Sequence, residues 1–335
     1  MGLSTACNGQ AVHHARPAGS GEKKMKESGM KAVLFGYHEM ACTGLKALMD
    51  AGFTVSALFT HADPASGAQF YGSVARLAER HNIPVFITED VNTAEWQARI
   101  ASLEADYLFC FSYRQVLSEA ILFSVKKGAY NVHAALLPAY RGRAHLNWVI
   151  IKGETQTGVT LHRMIKRPDA GPILAQKAVE IHPQDNALAL HTRLVATTAQ
   201  MLPTWLDALV AGELTETPQD ERAASCFGSR KPEDGQIHWQ APARDIHNLV
   251  RALAFPWPGA FTLADSQRFT VWQTRVIDAR KASQPGEVVS VTPLVIGCGQ
   301  GQLEILQGQS AGGESVTGTT LAGQLGLIVG QHLTR

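Results

Sequence analysis

An amide and an imidazole two residues apart, Asn131 and His133, close a short β-branched and aromatic run that begins at Gly128. In an extended chain alternate side chains share a face, so both groups project to one side of the strand this run predicts. Leu136-Leu137-Pro138 ends the run, and Tyr140-Arg141-Gly142-Arg143 then sets two guanidiniums around a glycine. Amide, imidazole and adjacent arginines suit the stabilisation of an oxyanion close to an anionic ligand. The same residues also fit a capped strand end followed by a basic surface loop. Further on, residues 157–164 alternate like a strand, and residues 165–171 form a turn containing Pro168-Asp169-Ala170-Gly171. Asp169 can orient, or relay a proton for, a nearby histidine; it can equally be an ordinary turn aspartate.

The elements that must hold these groups alternate along the chain. Residues 31–36 and 54–59 read as buried strands, and Leu45, Leu48 and Met49 lie at helical spacing between them. A helix over 74–82, a strand over 84–87, a helix over 96–103 and a strand over 107–111 continue the pattern. A strand over 172–181 and a long helix over 187–209 complete it. This alternation predicts an α/β unit with a parallel sheet. Ligands in such sheets lie at the carboxyl ends of strands, where Asn131 and His133 fall. The first strand–helix turn, residues 36–44, is not a Gly-x-Gly-x-x-Gly fingerprint, which gives NAD or ATP binding little support. His38 in that turn either touches a ligand or is a solvated loop histidine. Polar residues 212–224 predict a domain boundary. Beyond it come an amphipathic helix over 244–254 and short strands at 269–272, 286–291, 294–297 and 303–306, which predict a small β-barrel.

At 335 residues the chain is long enough for two domains. Lys and Arg total 30 against 29 Asp and Glu, and this balance lacks the basic bias of a nucleic-acid binder. No apolar run reaches the roughly 20 residues of a membrane span. Cys7, Cys42, Cys110, Cys226 and Cys298 are odd in number and form no Cys-x-x-Cys pair, as expected of structural thiols in a reducing, cytoplasmic compartment. The histidines show no His-Glu-x-x-His pattern, so no metal is expected. Residues 1–29 are turn-rich, charged and aperiodic, as expected of a disordered leader, an appended remnant or an over-called start.

Several of these motifs occur together in a known order. Asn131-x-His133, Leu136-Leu137-Pro138, Arg141-Gly142, residues 154–160 (Glu-Thr-Gln-Thr-Gly-Val-Thr) and Asp169-Ala170-Gly171 resemble the 10-formyltetrahydrofolate-dependent formyltransferases. That family includes enzymes acting on methionyl-tRNA, glycinamide ribonucleotide and sugar amines. Tyr140-Arg141-Gly142-Arg143, Asn147-Trp148, residues 161–164, Cys226-Phe227-Gly228 and residues 256–261 are most similar to the formyltransferase half of bifunctional polymyxin-resistance enzymes. Those formylate UDP-4-amino-4-deoxy-L-arabinose for the modification of lipid A. The likeness runs from Met30 almost to the C-terminus.

The resemblance implies a Rossmann-like catalytic domain over 30–218 and an OB-like domain over 225–333. It makes His133 the proton donor, Asn131 the oxyanion donor and Asp169 the group that holds His133 and helps take the amine proton. It implies that Gln115, Val116 and Leu117, with Ile165, Lys166, Arg167, Pro168 and Asp169, lie along the folate, and that Arg143 meets the acidic part of a UDP-amino sugar. Arg141 is the lesser candidate, a packing residue of the loop. Arg230, Lys231 and residues 257–261 either face the sugar nucleotide or form a rigid connector. The expected co-substrate is 10-formyltetrahydrofolate, with no metal, NAD, nucleic acid or membrane insertion; without a decarboxylase half the assembly expected is a monomer or weak dimer. Two alternatives remain: a methionyl-tRNA formyltransferase, which would want a basic surface, and a catalytically weakened folate-binding module. The second is prompted by departures from the family's His-Gly-Ser-Leu-Leu-Pro, here carrying Ala134 and Ala135. Ala134 is benign only if its φ is negative. Ser112-Tyr113 replaces an aromatic pair, and His145 stands where proline is usual, which is expected to shift the next helix's start.

Overall fold

The computed structural model describes residues 29–63, 72–278 and 283–334. The leader expected at residues 1–29 lies, Gly29 apart, outside them. The first unit runs β1 (Lys31–Gly36), α1 (His38–Asp50), β2 (Thr54–Thr60), α2 (Val74–Arg80), β3 (Val85–Ile87), α3 (Ala94–Ser102), β4 (Tyr107–Phe111), α4 (Glu119–Leu122) and β5 (Gly128–His133). It continues through β6 (Arg141–Gly142), α5 (His145–Ile151), β7 (Gln156–Arg163), β8 (Ile173–Glu180) and α6 (Ala187–Ala211). A short strand β9 (Cys226–Phe227) returns to pair with β6.

The main sheet has the order β3-β2-β1-β4-β5-β7-β8. Strands β1 to β5 are parallel, as the alternation predicts, but β7 runs antiparallel to both its neighbours, β5 and β8. The short connection between β7 and β8 explains part of this, because only antiparallel neighbours can be joined without a long crossover. Period-two patterning feeds both faces. In β1, Ala32 and Leu34 face a core shared with α1, α2, α5 and α6, while Val33 and Phe35 face one shared with α3 and α4. Fully burying such side chains stabilises by about 1.5–3 kcal/mol each. Strand order reverses at β1, between β2 and β4, so a crevice is expected beyond the carboxyl ends of β1 and β4.

The second unit holds α7 (Ala243–Ala252), β10 (Ala260–Ala264), β11 (Gln267–Asp278), β12 (Val288–Val291), β13 (Leu294–Gly297), β14 (Gln302–Ser310), β15 (Ser315–Thr317) and α8 (Gly318–Gln324). Its strands form one antiparallel sheet around a separate core. Bridges Leu263↔Thr334 and Glu287↔His332 let the last residues close off both edges, β10 and β12. Strand β11 is far longer than the predicted 269–272, because exposed Gln267, Arg268, Gln273 and Arg275 dilute its apolar pattern. The two units meet through α7, where the buried Asn147 Nδ2 donates to the Ala252 carbonyl at 2.7 Å. No helix of the described residues is long and apolar enough to cross a membrane.

Candidate active site

Strand β5 delivers Asn131 and His133 to the carboxyl end of the sheet, and β7 lies against it with His162 opposite Asn131 and Thr160 opposite His133. The loop after β7 then folds Asp169 back over the same spot. Its Oδ1 lies 3.7 Å from His133 Nδ1, 3.5 Å from His162 Nε2 and 3.4 Å from Asn131 Nδ2. Its Oδ2 accepts the Gly142 N–H at 2.9 Å. Tyr140, Ala144 and Asp169 all adopt left-handed φ, near 58°, 54° and 53°. Non-glycine residues there carry local strain, which clusters at functional sites. Ala134 is not among the described positive-φ residues, so the glycine-to-alanine departure costs nothing in backbone strain.

Hydrogen bonding fixes the tautomers. His133 Nε2–H donates to the Tyr140 carbonyl at 2.8 Å, which turns Nδ1 towards Asp169. His162 Nδ1–H donates to the Arg163 carbonyl at 2.9 Å, leaving Nε2 to accept from Asn131 Nδ2 at 3.1 Å. Burial pushes the Asp169 carboxyl up, but the charged forms of His133 and His162, with the Gly142 N–H, outweigh it and hold the group well below the ordinary carboxylate range. The result is a persistent anion beside two imidazoles. Sequence reasoning missed His162: it lies within an alternating strand, and only the antiparallel register of β5 and β7 reveals what it faces.

His145 is the other histidine of the site. It opens α5 in place, as its first residue, so the helix start that its departure from proline put in question falls on His145 itself. Its ring centroid is 4.4 Å from that of His133, and its buried Nδ1 has no hydrogen-bond partner. Burial first, then His133, push its pKa down to about 3, so it is neutral in use. An unfolded histidine titrates near about 6.5. Because the folded value is lower, the unfolded chain takes up the extra proton, and stability is lost as pH falls through the unfolded value towards the folded one. The protein with His145→Phe should therefore lose melting temperature less steeply than the wild type between pH 6.5 and about 3. Parallel melting-temperature profiles over that range would refute this.

A cavity of about 520 Å³ opens beside the cluster. Gln115 reaches it by its backbone only, since its carboxamide bonds the Val91 N–H and the Thr88 and Glu89 carbonyls. Val116 lines it with an exposed side chain, and Leu117 lines it while buried in the core beneath. Ile165, Arg167, Pro168 and Asp169 line the opposite side. Lys166 does not: its ammonium turns outward to Glu119 at 3.2 Å. Arg143 lines the mouth, its guanidinium held by the Arg114 carbonyl at 2.6 Å and Ser229 Oγ at 3.4 Å. Arg141 also lines the cavity but is buried and forked by Gln219 and Glu221. Arg143 is shared with a second cavity of about 390 Å³, whose wall includes Ser229, Arg230, Lys231 and Trp257.

Residues 31–206 match the family model described as formyl transferase, and residues 230–325 match the formyl transferase C-terminal domain. Solved structures of similar fold include an N-formyltransferase from Helicobacter canadensis in complex with folinic acid and dTDP-3-aminofucose. It is 16% identical, with a TM-score of 0.65, covering 82% of this chain and 98% of that one. A likely sugar N-formyltransferase from Mycobacterium tuberculosis is 20% identical, with a TM-score of 0.57 over 76% of this chain and 100% of its own. HypX from Aquifex aeolicus, in complex with tetrahydrofolic acid, is 17% identical with a TM-score of 0.55; the match covers 88% of this chain and 47% of HypX. At these identities the structural likeness is one of fold.

Proposed function

The chain belongs to the formyl transferase family, and from that premise we propose that it moves a formyl group from 10-formyltetrahydrofolate to the amine of a nucleotide-linked amino sugar, UDP-4-amino-4-deoxy-L-arabinose. The observation that carries this reading is the convergence of Asn131, His133, His162 and Asp169 on one cavity. Relatives solved with folate derivatives support the donor. An apolar slot edged by backbone groups around Gln115–Leu117 suits the amide-like face of a pterin.

In this reading the incoming amine attacks the formyl carbon, and a tetrahedral oxyanion develops. Asn131 has one N–H on His162 Nε2 and the other on the long 3.4 Å contact to Asp169. The second is the donor that turns to the oxyanion. His133, with both ring nitrogens facing acceptors, is placed to carry a proton and deliver it to the leaving nitrogen of the folate. Asp169 stabilises that charged ring and guides the amine proton away. His162 fixes the Asn131 amide.

Arg143, Arg230 and Lys231, joined by the second cavity, form a cationic path suited to a diphosphate, with Trp257 beyond it. If Arg143 grips the diphosphate, Arg143→Lys should raise KM for the sugar nucleotide about tenfold or more, because lysine cannot reproduce the planar fork. The KM for the folate should stay within twofold in steady-state assays. Equal shifts in both would count against the assignment.

The function itself is tested by offering 10-formyltetrahydrofolate with UDP-4-amino-4-deoxy-L-arabinose, a dTDP-amino sugar or methionyl-tRNA. Preferred turnover of the UDP sugar supports the proposal. Preference for the dTDP sugar changes only the acceptor; preference for tRNA, or folate binding without any transfer, overturns it.

A further inference from the structure

A larger cavity, of about 580 Å³, opens where the two units meet and shares no lining residue with the catalytic one. One wall is α7, which carries Arg244, His247 and Arg251 at i, i+3 and i+7, on a single face. His247 and Arg251 line the cavity. The Arg251 guanidinium is fixed in place: Nε–H donates to Asn248 Oδ1 at 3.0 Å and one terminal nitrogen to the Asp185 carbonyl at 2.9 Å. Neither acceptor is an acid. The Asp185 carboxylate is already forked by Arg193, at 2.6 and 2.9 Å. Burial lowers the pKa of Arg251, with Asp185 opposing and Arg244 assisting; burial, then Arg251 and Arg244, lower that of His247. Among the described residues the wall contains no carboxylate.

With its hydrogen bonds on neutral oxygens and the nearby Asp185 carboxylate engaged by Arg193, the partly buried Arg251 guanidinium keeps donors for a further anion. The facing wall adds ring surface. Trp272 is held by its Nε1–H on Gln309 Oε1 at 2.9 Å, and Phe255 stands 54% exposed at the rim. Gln273 and Gln307 offer exposed amides beside them. A fixed guanidinium, an imidazole, two aromatic rings and several amides match a planar base joined to a phosphate.

We propose that this interdomain cavity is a second ligand site, for a mononucleotide-class anion whose phosphate meets Arg251 and whose ring packs at Trp272 and Phe255. A ligand there spans α7, the segment before α6 and the β11–β14 face, so its binding braces the junction of the two units.

Titration calorimetry of the full chain with 5′-UMP, uridine and inorganic pyrophosphate tests this. Replacing Arg143, Arg230 and Lys231 together by alanine removes the cationic path on the catalytic side, so UMP binding that survives this triple replacement reports the interdomain site. Gln307→Glu places a carboxylate in the wall at an exposed position; Arg251→Gln removes the guanidinium, and because Arg251 also ties down the Asp185 carbonyl, it is read beside Gln307→Glu. The expected result is UMP binding that persists in the triple-alanine protein, weakens there at least tenfold with Gln307→Glu and with Arg251→Gln, and exceeds uridine and pyrophosphate by at least tenfold. Loss of UMP binding in the triple-alanine protein, affinity unchanged by Gln307→Glu, or pyrophosphate binding as tightly as UMP would each overturn the proposal.

Discussion

Replacing His133 with alanine should cut formyl transfer by about 10²–10⁴-fold, the usual worth of a positioned acid–base group. The fold should survive. His133 is buried, but the hydrogen bond lost is the one to the Tyr140 carbonyl, and leaving a buried carbonyl unpaired costs about 1–3 kcal/mol. Asn131→Ala should cost about 10²–10³-fold, the loss typical of one oxyanion donor. The double replacement should cost far less than the product of the two, because Asn131, His133, His162 and Asp169 share one hydrogen-bonded cluster and act as a unit. Single-turnover rates on proteins with native-like melting curves provide the measurement. Near-normal turnover by a folded His133→Ala protein would remove His133 from the chemistry.

How far this cluster was legible in the sequence depends on the range of each contact. Asn131 and His133 are local: a two-residue spacing in a strand puts them on one face, and the pairing of β4 with β5 carries that face to the sheet's carboxyl edge. Asp169 could be singled out as a turn carboxylate, but its left-handed φ and the Gly142 N–H that clamps it come from chain distant in sequence. His162 gave no local signal, since its meaning depends on β7 lying antiparallel to β5, and alternation does not encode strand direction. The residues proposed to line the folate were legible as a segment but not side chain by side chain. Gln115 turns its amide into the β3–α3 loop, and Lys166 turns to Glu119. In the second unit, β10 went unread because Ala260 and Phe261 follow a Pro-Trp-Pro-Gly stretch that looks like a connector, while its pairing partner β11 supplies the strand geometry from outside.

Asp169→Asn should have the second large effect, and it separates charge from shape. Asparagine tolerates left-handed φ as well as aspartate does, so the turn at 53° is kept, whereas alanine there would add backbone strain. What is lost is the anion. Its Oδ1 faces His133 and His162, so with a neutral amide the charged form of His133 loses its counter-charge at the moment it must form. Turnover is expected to fall about 10²-fold or more. Stability should respond in a pH-dependent way. The folded pKa of Asp169 is depressed below its unfolded value, so its contribution is complete above the ordinary carboxylate range and drains as pH falls through that range towards the folded value. The wild type should therefore exceed the Asp169→Asn protein by on the order of 2 kcal/mol at pH 7, with the gap closing below about pH 4. Denaturant melts at pH 7, 5 and 3 measure it. A gap that stays constant or widens towards acid would mean that His133 and His162 do not stabilise the Asp169 carboxylate, and the anion-centred arrangement of the site would have to be abandoned.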